Sequence, residues 1–361
     1  MQTVKVDLAD RSYQVYIGDA LLGNPHPVFD LCNGKTVLIV SNETVAPLYM
    51  ETLAASLTGA DIHNLILPDG EAFKTAEHWS RIIDKLVDIR ATRDATLFTL
   101  GGGVIGDLGG FAAASYMRGI NFVQVPTTLL SQVDASVGGK TGFNHPRGKN
   151  LIGAFHQPGA VLVDIDTLET LPGREFSAGL AEVVKIAAIR DAEFLGWLET
   201  NGEAIMARAP AALTNMIRRS IINKADVVAE DERESGVRAL LNFGHSFAHA
   251  LETLTRYRQY LHGEAVAIGM MVAGELSESR GLCEAGFCER LGKLLLSFDL
   301  PLSIPASLDA DTILETMKLD KKVIAGSTRL ILVKSAGQGI IDSSSDKLQI
   351  TAAINANKAI S

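Results

Sequence analysis

The sequence predicts a two-domain protein: an α/β N-terminal domain with a mostly parallel sheet, followed by a mainly α-helical C-terminal domain. Three observations predict it. Short apolar runs separated by amphipathic stretches recur between residues 36 and 163, the alternation of strand and helix that builds a parallel sheet covered on both faces. After about residue 172 the texture changes to long helical patterns. At 361 residues the chain is also long for one domain and comfortable for two. The boundary is placed near Leu171-Pro172-Gly173, giving domains at 1–172 and 173–361.

Taken in order, residues 2–17 alternate apolar and polar around Asp10-Arg11, which reads as a hairpin. Apolar runs at 36–40, 64–67, 96–100, 122–125 and 160–163 are the strands of the sheet, and the pattern at 76–89 is an amphipathic helix between two of them. Helical patterns then cover 175–200, 204–231, 239–257, 263–282 and 284–297. A late strand at 328–333 and a helical tail close the chain. No internal repeat is visible.

The composition is that of a soluble globular protein, 47% hydrophobic and 21% charged. A formal net charge of -9 argues against nucleic acid or an anionic membrane as a bulk partner. No apolar run approaches the roughly 18 residues that span a bilayer. The opening Met-Gln-Thr-Val-Lys-Val-Asp lacks an apolar stretch behind a basic end, so a cytoplasmic location is expected. Cys32, Cys283 and Cys288 are odd in number and lack metal spacing, and read as reduced thiols.

Chemistry gathers first around the histidines. His245 and His249 are four residues apart, so on a helix they share a face, and His262 follows soon after. Helical spacing upstream puts Glu182 and Lys185 side by side. Two imidazoles and a carboxylate are a common three-ligand set for a catalytic zinc with one open position. The plainer reading is that these are core or helix-end histidines with satisfied hydrogen bonds. Three of the chain's 8 histidines within so short a segment, beside basic residues and an Asn, weigh against it.

Directly after the strand ending at Leu100 comes Gly101-Gly102-Gly103-Val104-Ile105-Gly106-Asp107, a G-x-G-x-x-G between strand and helix. Backbone amides and a helix N-terminus at such a turn can hold a pyrophosphate. No Asp or Glu follows about 20 residues on to hold a ribose, and the loop follows a later strand instead of the first, so it departs from the usual dinucleotide fingerprint. A tight strand-to-helix turn is the structural alternative. Asp69-Gly70-Glu71-Ala72-Phe73-Lys74 and Thr127-Thr128 also follow predicted strands, the edge of an α/β sheet where ligands collect. Basic residues recur in glycine-rich or polar segments: Arg118, Lys140, Lys149, Lys185, Lys224, Arg238 and Lys321-Lys322. If several converge, they suit a substrate carrying a phosphate and a carboxylate.

These segments together resemble the 3-dehydroquinate synthase family, nearly end to end. The resemblance is carried by Pro68 to Lys74, Gly101 to Asp107, Val125-Pro-Thr-Thr-Leu-Leu130, Asp134-Ala-Ser-Val-Gly-Gly-Lys-Thr-Gly142, Asn144-His-Pro-Arg-Gly-Lys-Asn150, Ala178 to Lys185, Asn242-Phe-Gly-His-Ser-Phe-Ala-His249, Leu261-His-Gly-Glu264 and Asp320-Lys-Lys322. It implies a Rossmann-like N-terminal domain binding NAD and a helical C-terminal domain binding one divalent metal, zinc in the first place and cobalt as the alternative. The implied substrate is 3-deoxy-D-arabino-heptulosonate 7-phosphate, held in the cleft between the domains of a homodimer.

Matched motif by motif, the resemblance implies Glu182, His245 and His262 as metal ligands. Substrate phosphate would lie near Lys140, Asn150, Asn242, His249 and the Lys321-Lys322 pair, with Arg118 reaching in from a partner subunit. Asp134, Lys185, Lys224 and Arg238 would meet the substrate's hydroxyls and carboxylate. Lys140, Lys185, Asn242 and His249 are the residues given a part in the chemistry itself. NAD would contact Asn42, Asp69, Gly70, Glu71, Ala72, Phe73, Lys74, Gly102, Gly103, Val104, Ile105, Gly106, Asp107, Thr127, Thr128, Lys140, Lys149, Thr167, Leu168, Glu169 and Thr170. One departure is Ile186-Ala187 after Lys185, where the family usually has Tyr-Gly. The pair His245 and His249 could instead bind the metal, as in helical zinc hydrolases, but those carry a Glu after the first His and here that position is Ser246. Spacing alone leaves both readings open; the resemblance favours His245 and His262.

The implied reaction is oxidation of a hydroxyl by NAD, elimination of phosphate, return of the hydride and aldol closure of a carbocycle. Three rivals stand beside it: a related sugar-phosphate cyclase, a metal-dependent polyol dehydrogenase that would release NADH, and a catalytically dead nucleotide-binding module.

Overall fold

The computed structural model describes residues 1–320 and 329–359. The chain forms two compact units, Met1–Leu171 with Leu213–Ala229, and Pro172–Ala212 with Glu230–Ser361. The segment Leu213–Ala229, which the sequence groups with the helical half, belongs to the first unit.

The first unit is built on a seven-stranded sheet. Its strands are β1 (Gln2–Val6), β2 (Tyr13–Gly18), β3 (Thr36–Asn42), β4 (Asp61–Leu67), β5 (Thr96–Gly101), β6 (Asn121–Pro126) and β9 (Ala160–Asp164), in the order β1-β2-β9-β6-β5-β3-β4. Only β1 and β2 pair antiparallel, around a short turn at Ala9–Arg11; every other neighbour is parallel. The inner strands β3, β5, β6 and β9 are almost unbroken buried runs, because successive side chains serve opposite faces and both faces are covered there. Val37, Ile39, Phe98 and Leu100 pack with α1 (Pro27–Asp30) and α2 (Ala46–Ser56). Leu38, Val40 and Leu97 pack with α3 (Ala76–Asp88) and α4 (Gly103–Ser115). Helix α4 lies so close to β5 that a Cβ at Gly109 would sit 2.3 Å from the Thr99 methyl.

A hairpin of β7 (Lys140–His145) and β8 (Gly148–Phe155) follows β6 and packs on α4 through β7. The sequence reading assigns no strand between 125 and 160. The hairpin's glycines and basic residues hide the alternation, and most of β8 is exposed, so no apolar stripe marks it.

The second unit holds α5 (Gly173–Arg190), α6 (Ala192–Met206), α8 (His245–Leu254), α9 (His262–Ser279), α10 (Phe287–Ser297), α11 (Ala310–Asp320) and α12 (Lys347–Ala356), with a hairpin of β10 (Leu330–Ser335) and β11 (Gln338–Asp342). Helix α7 (Pro210–Glu230) contributes its ends here and its middle to the first unit. The pattern expected over 175–200 is two helices, because Asp191 leaves the helical conformation and its carboxylate accepts the Phe194 amide to start α6. Helix α9 is the centre, packed against α5, α8, α10, α12 and β10, and most of its residues are buried all round. Glycines make that packing close: a Cβ at Gly263 would fall 1.8 Å from the Ala178 carbonyl oxygen, and one at Gly269 2.1 Å from that of Gly244. No helix among the described residues is long and apolar enough to cross a membrane.

Candidate functional site

In the second unit three elements bring a carboxylate and two imidazoles together. Glu182 sits in the middle of α5 and is 2% exposed. His245 is the first residue of α8 and His262 the first of α9. Glu182 Oε1 lies 3.5 Å from His245 Nε2 and 3.6 Å from His262 Nε2, and among the described residues no hydrogen-bond donor reaches this buried oxygen. One ligand atom from each of the three residues lies within 4.8 Å of the others, the one such grouping of its kind among the described residues.

The protons explain the geometry. His245 Nδ1 faces the Phe243 carbonyl oxygen at 3.2 Å, and His262 Nδ1 faces Glu252 Oε1 at 3.2 Å. Both partners can only accept, so each Nδ1 carries the hydrogen and each Nε2 turns a lone pair toward Glu182. Burial, then the nearby Lys185 ammonium and the other two imidazoles, hold His245 well below the ordinary imidazole pKa, which keeps its Nε2 unprotonated. Three lone pairs facing one point with no proton to share are the donor set of a divalent cation. Lys185, one turn along from Glu182 and buried with it, contacts Oε2 through its ammonium.

His249 stands beside this group without joining it. Its ring centroid is 5.6 Å from that of His245 and 6.3 Å from that of His262. The choice left open by spacing, His249 or His262 beside His245, falls geometrically on His262. Asn242 lies just upstream, its amide donating to Glu234 Oε1 at 3.0 Å and to the Ala239 carbonyl at 3.2 Å. Arg238 is 1% exposed and donates through its guanidinium to the Glu232 carbonyl. The loop that carries it is tied to Asp231, whose carboxylate accepts the amides of Ser235, Gly236 and Arg238 at 2.9, 2.7 and 3.0 Å. Burial works to raise Asp231, but these bonds outweigh it and lower its pKa to about 2. Ile186 and Ala187, the departures from the family pattern, are buried in α5.

In the first unit the remaining candidates collect at the C-terminal ends of the parallel strands. Strand β3 has β4 on one side and β5 on the other, so chain direction across the sheet reverses there, the topological place for a ligand. Asn42 ends β3, Asp69 to Lys74 follow β4, Gly102 to Asp107 follow β5, Thr127 and Thr128 follow β6, and Thr167 to Thr170 follow β9. Asp69 is held by the Asn42 amide at 2.7 Å and the Thr44 hydroxyl at 2.8 Å. Buried Lys74 gathers three motifs, donating to Asp107 Oδ2 at 2.5 Å and Asn150 Oδ1 at 2.7 Å. Burial pushes the Asp107 carboxyl above its usual value against the pull of that ammonium. Gly102 caps α4 with no side chain, so first-turn amides remain for a ligand's oxygens. The buried Thr127 hydroxyl finds no partner among the described residues, and a Cβ at Gly102 would press on Thr128 at 3.3 Å. These are features of a cradle that a dinucleotide fits. Ile105 and Leu168 turn their side chains into the core, leaving only backbone to a ligand.

Lys224, on the part of α7 that belongs to this unit, donates to the Asp134 carbonyl at 2.5 Å and to Asp134 Oδ1 at 2.8 Å. Lys140 is exposed at the start of β7, Lys149 lies 3.9 Å from Glu71, and Arg118 is exposed at a turn with φ 66. Lys321 and Lys322 lie outside the described residues. Sequence reasoning gave no role to Glu252, Glu234, Thr44 or Asn144, the last bridging Glu71 and Asn150. For Glu252 a signal existed: it stands seven residues after His245, two turns along the same helical face.

A model of the 3-dehydroquinate synthase N-terminal region matches residues 64–178, and one of the C-terminal region of 3-dehydroquinate synthase matches residues 179–323. The chain is 55% identical over 341 residues to the 3-dehydroquinate synthase of Methylococcus capsulatus, covering 94% of this chain and 95% of that one. Among solved structures, 2-epi-5-epi-valiolone synthase from Streptomyces hygroscopicus, with NAD+ and Zn2+ bound, superposes with a TM-score of 0.89 at 31% identity over 97% of this chain and 98% of that one. A 2-deoxy-scyllo-inosose synthase complexed with carbaglucose-6-phosphate, NAD+ and Co2+ gives 0.87 at 25% identity, covering 99% and 100% of the two chains.

Proposed function

The chain belongs to the 3-dehydroquinate synthase family, and from that premise we infer how its own residues divide the work. It is an NAD- and metal-dependent carbon-oxygen lyase that converts 3-deoxy-D-arabino-heptulosonate 7-phosphate to 3-dehydroquinate and phosphate. The observation that carries the assignment of the centre is the buried Glu182 oxygen without a donor, faced by two imidazoles whose far nitrogens are already engaged. Glu182, His245 and His262 hold the divalent cation; the loops after β3, β4, β5, β6 and β9, with Lys140 and Lys149, hold NAD. When bound, the cation supplies Lewis acidity to a substrate hydroxyl and NAD a hydride acceptor that is restored within the turnover.

The remaining residues bind and orient. Lys185, fixed against Glu182, presents an ammonium beside the substrate's hydroxyls. Arg238 and Lys224, each anchored on a main-chain carbonyl, present cations to hydroxyl and carboxylate groups, with Asp134 accepting from a hydroxyl. The family resemblance supports assigning Lys140, Asn150, Asn242, His249 and the Lys321-Lys322 pair, the last outside the described residues, to the substrate phosphate. The leaving phosphate dianion is itself basic enough to take the neighbouring carbon-bound proton, so these residues need only orient it. The chain works in the cytoplasm as a homodimer in which Arg118 of each copy completes the phosphate site of the other. An exposed Arg118 beside an exposed Met117 supports that role, and a monomer by sedimentation would remove it.

The test is phosphate release from 3-deoxy-D-arabino-heptulosonate 7-phosphate with catalytic NAD and zinc, while absorbance follows NADH. Stoichiometric phosphate with no accumulating NADH is expected. Steady NADH without phosphate would make the protein a dehydrogenase. Silence on both, with metal bound, would move the substrate to another sugar phosphate.

A further inference from the structure

Helix α8 carries more than one group toward the metal-ligand cluster. His245 opens the helix, His249 follows at the fourth position and Glu252 at the seventh, so the three share one face. Glu252 is 4% exposed, and its Oε1 accepts from His262 Nδ1 at 3.2 Å. The two imidazoles of the cluster are therefore held in different ways. His245 is oriented by a backbone carbonyl that no side-chain change can remove. His262 is oriented by a buried carboxylate ten residues upstream, across the α8–α9 turn.

That turn needs such a tie. His262 is the more exposed of the two, at 34% of its side chain against 12% for His245. It follows a segment in which Arg256 and Tyr257 both take left-handed backbone conformations. The main chain at His262 is fixed separately. Glu264 accepts the Leu261 amide at 2.8 Å and pairs with Arg174 at 2.6 and 2.7 Å. At the ring itself, the bond to Glu252 Oε1 sets the rotation of the imidazole and which nitrogen carries the hydrogen.

We propose that Glu252 is the positioning residue of the metal centre: it fixes the His262 tautomer and ring orientation, and through them sets metal affinity. A carboxylate behind a ligating imidazole raises the basicity of the nitrogen facing the cation, and loss of such a partner typically weakens metal binding about 10–100-fold. The proposal rests on the metal-centre reading given above.

The test compares wild-type protein with Glu252→Gln, which keeps the shape and removes the charge. Zinc affinity is measured by chelator competition, the ligand-field spectrum is recorded after Co2+ loading, and thermal unfolding is followed without metal. The expected result is a zinc affinity lower by roughly 10–100-fold and a shifted Co2+ spectrum, with metal-free unfolding near that of wild type. An affinity within twofold of wild type and an unchanged spectrum would overturn the proposal. So would a lowered metal-free unfolding temperature with normal affinity and spectrum, which would leave Glu252 a packing role only. Should the variant not fold, nitrogen-15 NMR of histidine-labelled wild-type holoenzyme reads the same point. Hydrogen on His262 Nδ1 supports the proposal, and hydrogen on Nε2 defeats it. Failure of wild-type protein to bind one equivalent of either metal would instead refute the metal centre.

Discussion

Glu182 is a buried carboxylate whose one close cation, Lys185, contacts only one of its oxygens. A charge removed from water is costly unless paired, and the second oxygen is left for the cation that the imidazoles also face. Glu182→Ala and His245→Ala should therefore lose metal and turnover together, read by metal content and phosphate release. His249→Ala should keep the metal and slow elimination by roughly 10²-fold or more, as expected when a group that stabilises developing charge is removed; zero metal content would make His249 the ligand and His262 the bystander. Asp231 gives a pH-dependent counterpart. Its folded pKa of about 2 lies below the ordinary 3.8, so its stabilising effect is complete above about pH 4 and fades as pH falls toward 2. Asp231→Asn should lower the unfolding temperature at pH 7, and the gap to wild type should close as the pH drops through that window. Of these residues, Glu182 and Lys185 are legible in sequence as neighbours on a helix face. His262 is not, because the turn between α8 and α9 leaves its direction undetermined until the fold is known. Glu234 is silent for another reason: a lone carboxylate in a loop reads as a solvated group until its partner, the Asn242 amide, is placed.

At the scale of elements, the two imidazoles stand where α8 and α9 begin and Glu182 midway along α5, so the packing of α5, α8 and α9 is what sets their separation. Gly244, directly before His245, has φ 79, and a Cβ there would come within 2.7 Å of the Met270 amide nitrogen. Gly269 meets the Gly244 carbonyl from the other side. Gly269→Ala should overpack this crossing, cost about 1–3 kcal/mol of stability and weaken zinc binding, as measured by thermal unfolding and chelator competition. An unchanged zinc affinity in a destabilised variant would show that the ligand spacing does not depend on this crossing. The inner parallel strands are legible because burial on both faces makes them almost unbroken apolar runs. The β7–β8 hairpin is not, since its exposed strand alternates nothing against solvent. The end of α5 is hidden as well: apolar periodicity runs on past it, and only the Asp191 carboxylate capping α6 marks the stop.

At the scale of the whole molecule, the loops proposed for NAD and the residues proposed for the metal belong to different units, so the two kinds of binding should separate. Lys74→Met, which deprives Asp107 of its ammonium partner, should weaken NAD binding by fluorescence titration and leave metal content at one equivalent. Glu182→Ala should do the reverse. Loss of both in either variant would show that one unit does not hold its ligand without the other. The first unit also has a property that composition could not announce, because Leu213–Ala229 returns to it after the chain has entered the second. The Lys224 ammonium on Asp134 is part of that return. Protein synthesis is vectorial, at roughly 5–20 residues per second. When residue 171 leaves the ribosome, the nucleotide-binding half still lacks a helix, and it waits seconds for the missing piece while unrelated chain emerges. The nascent protein thus passes through an interval in which its first-made half lacks part of its own packing.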